Sequence, residues 1–414
     1  MIDARPGPGT GTGTGTGFKL GRLGPFLLLG QLAWALPGTA SSTLLAALLA
    51  TAAPGHKIGI FTAYAVAGAL TSAIGTVLGG LLSDRTRSRW GRRSPWLLGS
   101  AGLAALALTA AGLAGNLVLT GFCYAVFQLG IGVWVAALSA LIPDHVPAGA
   151  VGRASSFSGF GFLLGQTVGG VLAGALVTTP ARGLIVVPWV MVVLALVVAF
   201  AVPGRDNRGE PRPGGRRCTL RDLLPAGSSA FWLAFAGRFL FILAILMIST
   251  FQLYLLTDYL GLPTAEAGHL VGIGTLLVGV LSAGSVIAGG IVSDRSGRVK
   301  PVVAGAPVLL AVGLVPLLIA PGVTTDLLFF GVAGLALGAY LAVDQALMVA
   351  VLPDTGTAAR DLGVLSIGST LPGVVAPIAG GALAGAVGYL AIFLVALVLT
   401  VAAAAVVFGI RSVR

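Results

Sequence analysis

Apolar runs separated by short polar punctuation make up most of this chain. Twelve such stretches follow one another, at 24–47, 58–82, 95–115, 117–142, 154–178, 184–202, 228–256, 266–292, 301–320, 326–351, 362–385 and 388–410. A helix needs about 20 residues to cross about 30 Å of hydrocarbon, so each predicts a membrane-spanning α-helix. Links such as 48–57 and 179–183 are short. The longest, 203–227, runs from Pro203-Gly204-Arg205 to Arg216-Arg217 and predicts a polar linker between halves 24–202 and 228–414. Its arginines could alternatively touch lipid headgroups. Residues 1–23 carry a Gly-Thr alternation from Gly9 to Gly17. That alternation has no apolar face to bury and predicts a flexible arm. Leu23 to Leu36, followed by Pro37-Gly38-Thr39-Ala40, could pass for a cleavable leader. Its removal would leave an odd number of helices and spoil the repeat described below.

Composition narrows the class. Hydrophobic residues are 57% of the 414, charged residues 9%, and 63 positions are Gly. A soluble domain has about 25% charged residues. This chain has too little polar surface to cover a water-soluble globule, and it is too apolar for a disordered chain. The expected class is an all-α polytopic membrane protein with twelve transmembrane helices. The net charge of +11 raises nucleic acid as a partner, but the charges are segregated. Of 24 Lys and Arg, 21 fall in segments on one side, Lys57 and Arg182 on the other, and Arg238 inside a span. Lys and Arg resist translocation, so the basic side is expected in the cytoplasm, together with both termini. The expected location is the plasma (inner) membrane, with lipid as partner and no nucleic acid. Cys123 lies in a span and Cys218 in a loop, too far apart in depth for a disulfide.

The chain repeats itself. Gly79-Gly80-Leu81-Leu82-Ser83-Asp84-Arg85 recurs as Gly289-Gly290-Ile291-Val292-Ser293-Asp294-Arg295, an offset of 210, and Ile142-Pro143-Asp144 recurs at the same offset as Leu352-Pro353-Asp354. Two six-helix halves of matching direction imply a pseudo-two-fold axis along the membrane normal. A binding site would then lie near the midplane between them.

These residues resemble the major facilitator superfamily of secondary transporters. The family pattern after helix 2 is Gly, three residues, Asp, Arg, any residue, Gly, any residue and then basic residues. Gly290, Asp294, Arg295, Gly297, Arg298 and Lys300 fit it closely. The first copy keeps Gly80, Asp84 and Arg85 but inserts four residues before Gly91-Arg92-Arg93. That longer loop, through Ser94-Pro95-Trp96, is similar to the loop of glycoside–cation symporters and plant-type sucrose carriers. Asp344-Gln345-Ala346-Leu347 adds weaker support. Those symporters place acidic residues in helix 2, whereas 58–82 has none. Gly152, Gly161, Gly165, Gly169 and Gly170 match the spacing of the superfamily's antiporter motif, with Gln166 where antiporters place Pro. Glycines so spaced equally serve close helix packing. The motif is partly echoed in Ala376-Pro377-Ile378-Ala379-Gly380-Gly381.

The resemblance implies a cytoplasmic gate built from Asp84, Arg85, Arg92, Arg93, Asp144 and Arg153, with Asp294, Arg295, Arg298, Asp354 and Arg360 in the second half. Carboxylate–guanidinium pairs would close that face in one state and part in the other. The competing reading is topology determination by solvated charges. Deeper in, Arg238 and Asp344 sit about 12–15 Å from the basic side at 1.5 Å per residue. The resemblance turns helices 7 and 10 toward a central cavity. An isolated charge there costs at least about 2.5–3.5 kcal/mol, so the two are expected to pair or to line a wet cavity. Arg stays charged, so Asp344 can carry a proton only in a step that separates it from Arg238. Other polar groups at depth are Gln31, Trp34, Asn116, Gln128, Trp134, Gln166, Gln252, Tyr254, Tyr340 and Gln345. Amides donate and accept, and flat aromatic faces stack on rings. The set suits a neutral, hydroxyl-bearing or aromatic solute, although each Gln could instead join helices. Glu266 and His269 share one face at the start of helix 8, either as an interface cap or as a titrating pair.

The three histidines are far apart, so no metal site is expected. No Walker loop is present, and neither an enzyme activity nor a cofactor is expected. The resemblance implies a monomeric secondary transporter working by alternating access, coupled to a proton and carrying a sugar-like solute. A proton-driven efflux antiporter and a non-transporting receptor or scaffold are the alternatives.

Overall fold

The computed structural model describes residues 20–146, 151–201, 228–296, 300–351, 364–365 and 367–410. Among these, twelve helices are long and apolar enough to cross a membrane. They are α1 (Leu23–Ala52), α2 (Lys57–Arg85), α3 (Ser94–Leu113), α4 (Leu117–Ser139), α5 (Arg153–Leu176) and α6 (Pro180–Phe200). The second half holds α7 (Ser229–Thr250), α8 (Thr264–Ser293), α9 (Lys300–Ile319), α10 (Val323–Asp344), α11 (Ile367–Ala386) and α12 (Tyr389–Phe408). No strand occurs among the described residues. The N-terminal arm up to residue 19 and the linker 203–227 lie outside them.

Most helix ends agree with the sequence pattern, and three differ for local reasons. The link expected at 179–183 is already helical from Pro180, because proline's fixed φ suits the first helical position. Helix α6 is then interrupted at Val187-Pro188, and the residue before a proline is biased away from helix. Past Thr250, α7 loses regular winding and continues as a short turn, Gln252–Tyr254, and a π-turn, Leu255–Tyr259.

Helix pairing repeats between the halves. In the first, α1 packs on α5, and α2 and α3 on α4; in the second, α7 packs on α11, and α8 and α9 on α10. Lipid offers no hydrophobic drive for helix association, so close approach of small residues has to supply it. A methyl group added at Gly132 of α4 would overlap the Ser72 carbonyl oxygen of α2, and one at Gly79 would stand 2.8 Å from the Val133 Cα. In the second half, a methyl at Gly338 of α10 would stand 2.8 Å from the Ser282 Cα of α8, and the Ser282 hydroxyl donates to the Gly334 carbonyl at 2.9 Å. Exposed Val118, Phe200 and Ile319 face outward, as suits lipid contact.

The halves meet along two seams related by the same pseudo-symmetry, α5 on α8 and α2 on α11. Call the end bearing Arg85, Arg92, Arg93 and Arg295 the basic end. On the first seam, Thr167, Gly170 and Gly174 of α5 meet Gly279, Thr275 and Gly268 of α8. On the second, Thr62 meets Gly381. All these contacts lie toward the opposite end. About three turns nearer the basic end on the same helix faces, Gly159 and Gly290 have open space beside them. The bundle is therefore a wedge, closed at the opposite end and parted at the basic end.

Candidate functional site

Among the described residues, several polar groupings interrupt the apolar interior. The deepest joins α7 to α10. Arg238 Nη1 lies 2.8 Å from Asp344 Oδ2, with the side chains 12% and 4% exposed. The same nitrogen points at the Met348 sulfur at 2.6 Å. Tyr340, fully buried one turn before Asp344, stands beside the carboxylate and stacks on Phe241 with ring centroids 4.6 Å apart. Sequence spacing explains the grouping, since positions 340, 344 and 348 share one helix face. Arg238 Nε is buried without a hydrogen-bond partner. The guanidinium thus has one donor committed to its counter-ion and another that is free.

The remaining polar side chains expected in the cavity scatter. Gln31 accepts from Trp34 Nε1 at 2.8 Å on α1, and the Trp34 ring faces Phe162 of α5 at 5.3 Å. Gln128 Nε2 donates to the Tyr124 hydroxyl at 3.2 Å on α4. Gln166 is half-buried on α5. Trp134 is wholly buried and donates to the Gly30 carbonyl at 3.0 Å, pinning α4 to α1. The side chain of Gln345 lies outside the described part. Gln252 is buried beside Asp326, the first-turn acid of α10. The sequence reading did not single out Asp326, because it stands at the mouth of an apolar run where an acid reads as an interface cap.

At the basic end, the loop charges gather within the first half. Arg93, 7% exposed, reaches Asp84 at 2.7 Å, Asp144 at 3.1 Å and the Ser83 hydroxyl at 2.5 Å. Arg92 pairs with Asp144 as well. Trp96 Nε1 donates to Thr86 at 2.7 Å. These contacts tie α2, α3 and the end of α4 together, and none of them crosses to the other half. Arg85, Arg153 and Arg295 are exposed. Arg298, Asp354 and Arg360, together with the Asp294 side chain, lie outside the described part.

Among the described residues, the cross-half polar contacts sit at the opposite end, and two of their members, Asp258 and Tyr389, were not singled out from the sequence. Lys57 of α2 pairs with Asp258 of the π-turn after α7 at 2.7 Å, and Tyr389 of α12 donates to the same carboxylate at 2.7 Å. The Lys57 ammonium stands 5.1 Å from the Tyr254 ring centroid. Beneath it, Phe61 packs edge-on against Phe251 and Tyr254, and the Tyr254 hydroxyl donates to the Ala46 carbonyl at 2.9 Å. Phe61 and Ala46 belong to the first half, and Phe251 and Tyr254 to the second.

The family model for the Major Facilitator Superfamily matches residues 23–288 and again 235–414. The chain belongs to this superfamily. The structure is similar to that of a D-xylose–proton symporter, with a TM-score of 0.71 and 16% identity, over 94% of this chain and 98% of that one. It is also similar to an inward-facing, unoccupied bacterial homologue of the human lysosomal transporter Spinster, with a TM-score of 0.66 and 15% identity, over 94% and 97% of the two chains. At such identities the likeness is one of fold. An uncharacterized symporter from Synechocystis sp. is 66% identical over 32 residues, which are 8% of this chain and 6% of that protein. This superfamily member is therefore a multi-pass membrane protein built as a secondary transporter rather than as an enzyme.

Within it, Gly161, Gly165, Gly169 and Gly170 of the antiporter-type spacing pack closely against neighbouring helices. Methyl groups at Gly161 and Gly169 of α5 would overlap the carbonyl oxygens of Leu28 and Leu36 on α1, and one at Gly165 would stand 3.0 Å from the Leu32 Cα. Gly170 and Gly174, on the next face, meet α8. Two glycine stripes let α5 lie between its own half and the other.

Proposed function

We propose that this transporter carries a neutral, hydroxyl-bearing, sugar-like solute coupled to a proton, by rocking its halves about the Arg238–Asp344 level. The single observation behind this is the buried pair with an unpartnered Arg238 Nε. A solute oxygen can accept from that nitrogen without breaking the pair. As it settles, it can draw the guanidinium off Asp344, which leaves a carboxylate ready to take a proton. The Tyr340 hydroxyl stands beside the Asp344 carboxylate and its ring stacks on Phe241, so this aromatic pair backs the Arg238–Asp344 level. The positive-inside distribution orients the basic end to the cytoplasm, which makes the present state inward-open. In that state Lys57, Asp258 and Tyr389 hold the outer face shut, while the Arg92, Arg93, Asp84 and Asp144 cluster would meet the second half when the inner face closes.

The test begins with thermal-shift measurements on the purified chain against D-xylose, sucrose and hydrophobic drugs, since a ligand bound only to the native state stabilises it. A binding sugar is then followed into proteoliposomes under an inward proton gradient. Concentrative uptake is expected. In Asp344→Asn it should be lost while solute exchange at equal pH persists. Full pH-driven accumulation by Asp344→Asn would overturn the assigned role, and stabilisation by drugs alone would favour efflux.

A further inference from the structure

We infer that Asp326, with Gln252 as its partner, forms a second proton-binding site, at the opposite end of the bundle from the Arg238–Asp344 pair. The site goes beyond the reading above, because it binds a proton whichever solute is carried. Asp326 is 2% exposed and Gln252 5% exposed. The carboxyl and the amide stand side by side, yet Asp326 Oδ2 and Gln252 Nε2 both lack hydrogen-bond partners. Gly274 of α8 closes the site: a methyl group there would stand 2.9 Å from Gln252 Nε2 and 3.4 Å from the Phe330 ring.

No cation compensates this acid among the described residues. On α8, Glu266 and His269 are exposed at the rim. After α7, Asp258 is engaged by Lys57 and Tyr389, while Tyr254 bonds to Ala46. On α10 itself the other ionisable groups, Tyr340 and Asp344, lie more than three turns away toward the basic end. Helix α9 carries no titratable side chain beyond Lys300 at its far end. A buried carboxylate without a counter-ion is strongly disfavoured, whereas a neutral acid needs only hydrogen bonds. A carboxylic acid and a primary amide can supply these to each other twice, O–H to the amide oxygen and N–H to the acid carbonyl. A carboxylate can only accept. Asp326 therefore carries a proton in the closed-outside state.

The site is also placed to release or reload it. Gly274 neighbours Thr275, which meets Gly170 across the seam that must part when the opposite end opens. Opening there brings water to a carboxyl that is now sealed.

The test is infrared spectroscopy of the purified full chain in a detergent without ester carbonyls, titrated in pH. A neutral-carboxyl C=O band is expected at neutral pH, bleaching as the pH rises. It should be missing in Asp326→Asn, unchanged in Glu266→Gln and displaced in frequency in Gln252→Leu. A spectrum with no such band overturns the site, as does a band that survives Asp326→Asn or that never bleaches while the protein stays folded. If Asp326→Asn does not fold, a band that Gln252→Leu leaves unmoved overturns it equally. The uptake experiment above depends on Asp344, so either result can fail without the other.

Discussion

Single residues divide by whether their chemistry can be read without their neighbours. Arg238 and Asp344 announce themselves as charges inside apolar runs, and helical spacing places Tyr340 and Met348 on the same face. Trp134 illustrates the opposite. Its indole N–H could serve a solute or a backbone carbonyl, and only the approach of α1 shows that it serves Gly30. Asp326 escapes the sequence because its burial comes from α7 and α8, far away in the chain. Two outcomes follow at this scale. Arg238→Ala leaves the Asp344 carboxylate buried and unpaired, and removing one partner of such a pair costs about 3–5 kcal/mol. Adding Asp344→Asn should restore much of that loss, which thermal unfolding of both variants checks. Trp134→Phe removes the indole bond to the Gly30 carbonyl, which keeps its helical partner, and leaves a small void at a fully buried site, so it should lower stability by about 1–3 kcal/mol and leave solute binding intact.

At the scale of the helix, the count and the repeat are plain in the sequence, since length and hydropathy are local properties. What the pattern leaves open is which face of each helix meets which neighbour. Glycines at 161, 165, 169 and 170 could belong to an antiporter motif or to packing, and the structure assigns three to α1 and one to α8. Helix ends wander where proline or a π-turn intervenes, as at Pro180 and after Thr250. The packing role makes a sharp comparison available. Gly169→Leu drives a side chain into the α1 backbone, and overpacking of this kind costs about 1–3 kcal/mol or more. Gly159→Leu, on the same helix but facing open space, should be close to neutral. Yields of folded protein and melting temperatures of the two variants would separate them, and equal losses would argue against the α1–α5 contact.

At the scale of the molecule, the question is which contacts hold one state against the other. Sequence motifs direct attention to the Asp-Arg corners, yet in this wedge the described first-half charges Asp84, Arg92, Arg93 and Asp144 bind α2, α3 and α4 to one another. Among the described residues, a cross-half charge pair is formed by Lys57 and Asp258, 201 residues apart and in segments with no motif. No local pattern could have paired them, because the contact depends on how the two halves meet at the opposite end. Both side chains keep some exposure, 17% and 26%, so the pair should contribute at most about 1 kcal/mol to the closed state, with the aromatic contacts of Phe61 beneath it adding more. A bias of that size suits a transporter, whose two states must stay within a few kcal/mol of each other. Thr62 offers a reporter, since its hydroxyl is buried against Gly381 on the second seam. In a background with Cys123 and Cys218 replaced, Thr62→Cys should react slowly with a membrane-impermeant maleimide. Adding Lys57→Ala should raise that rate by up to about five-fold, the factor equivalent to 1 kcal/mol in a population ratio. High salt should raise the rate in the parent and leave the Lys57→Ala protein unchanged, because only the parent has a pair to screen. A rate indifferent to both would mean that the aromatic packing alone keeps this end closed.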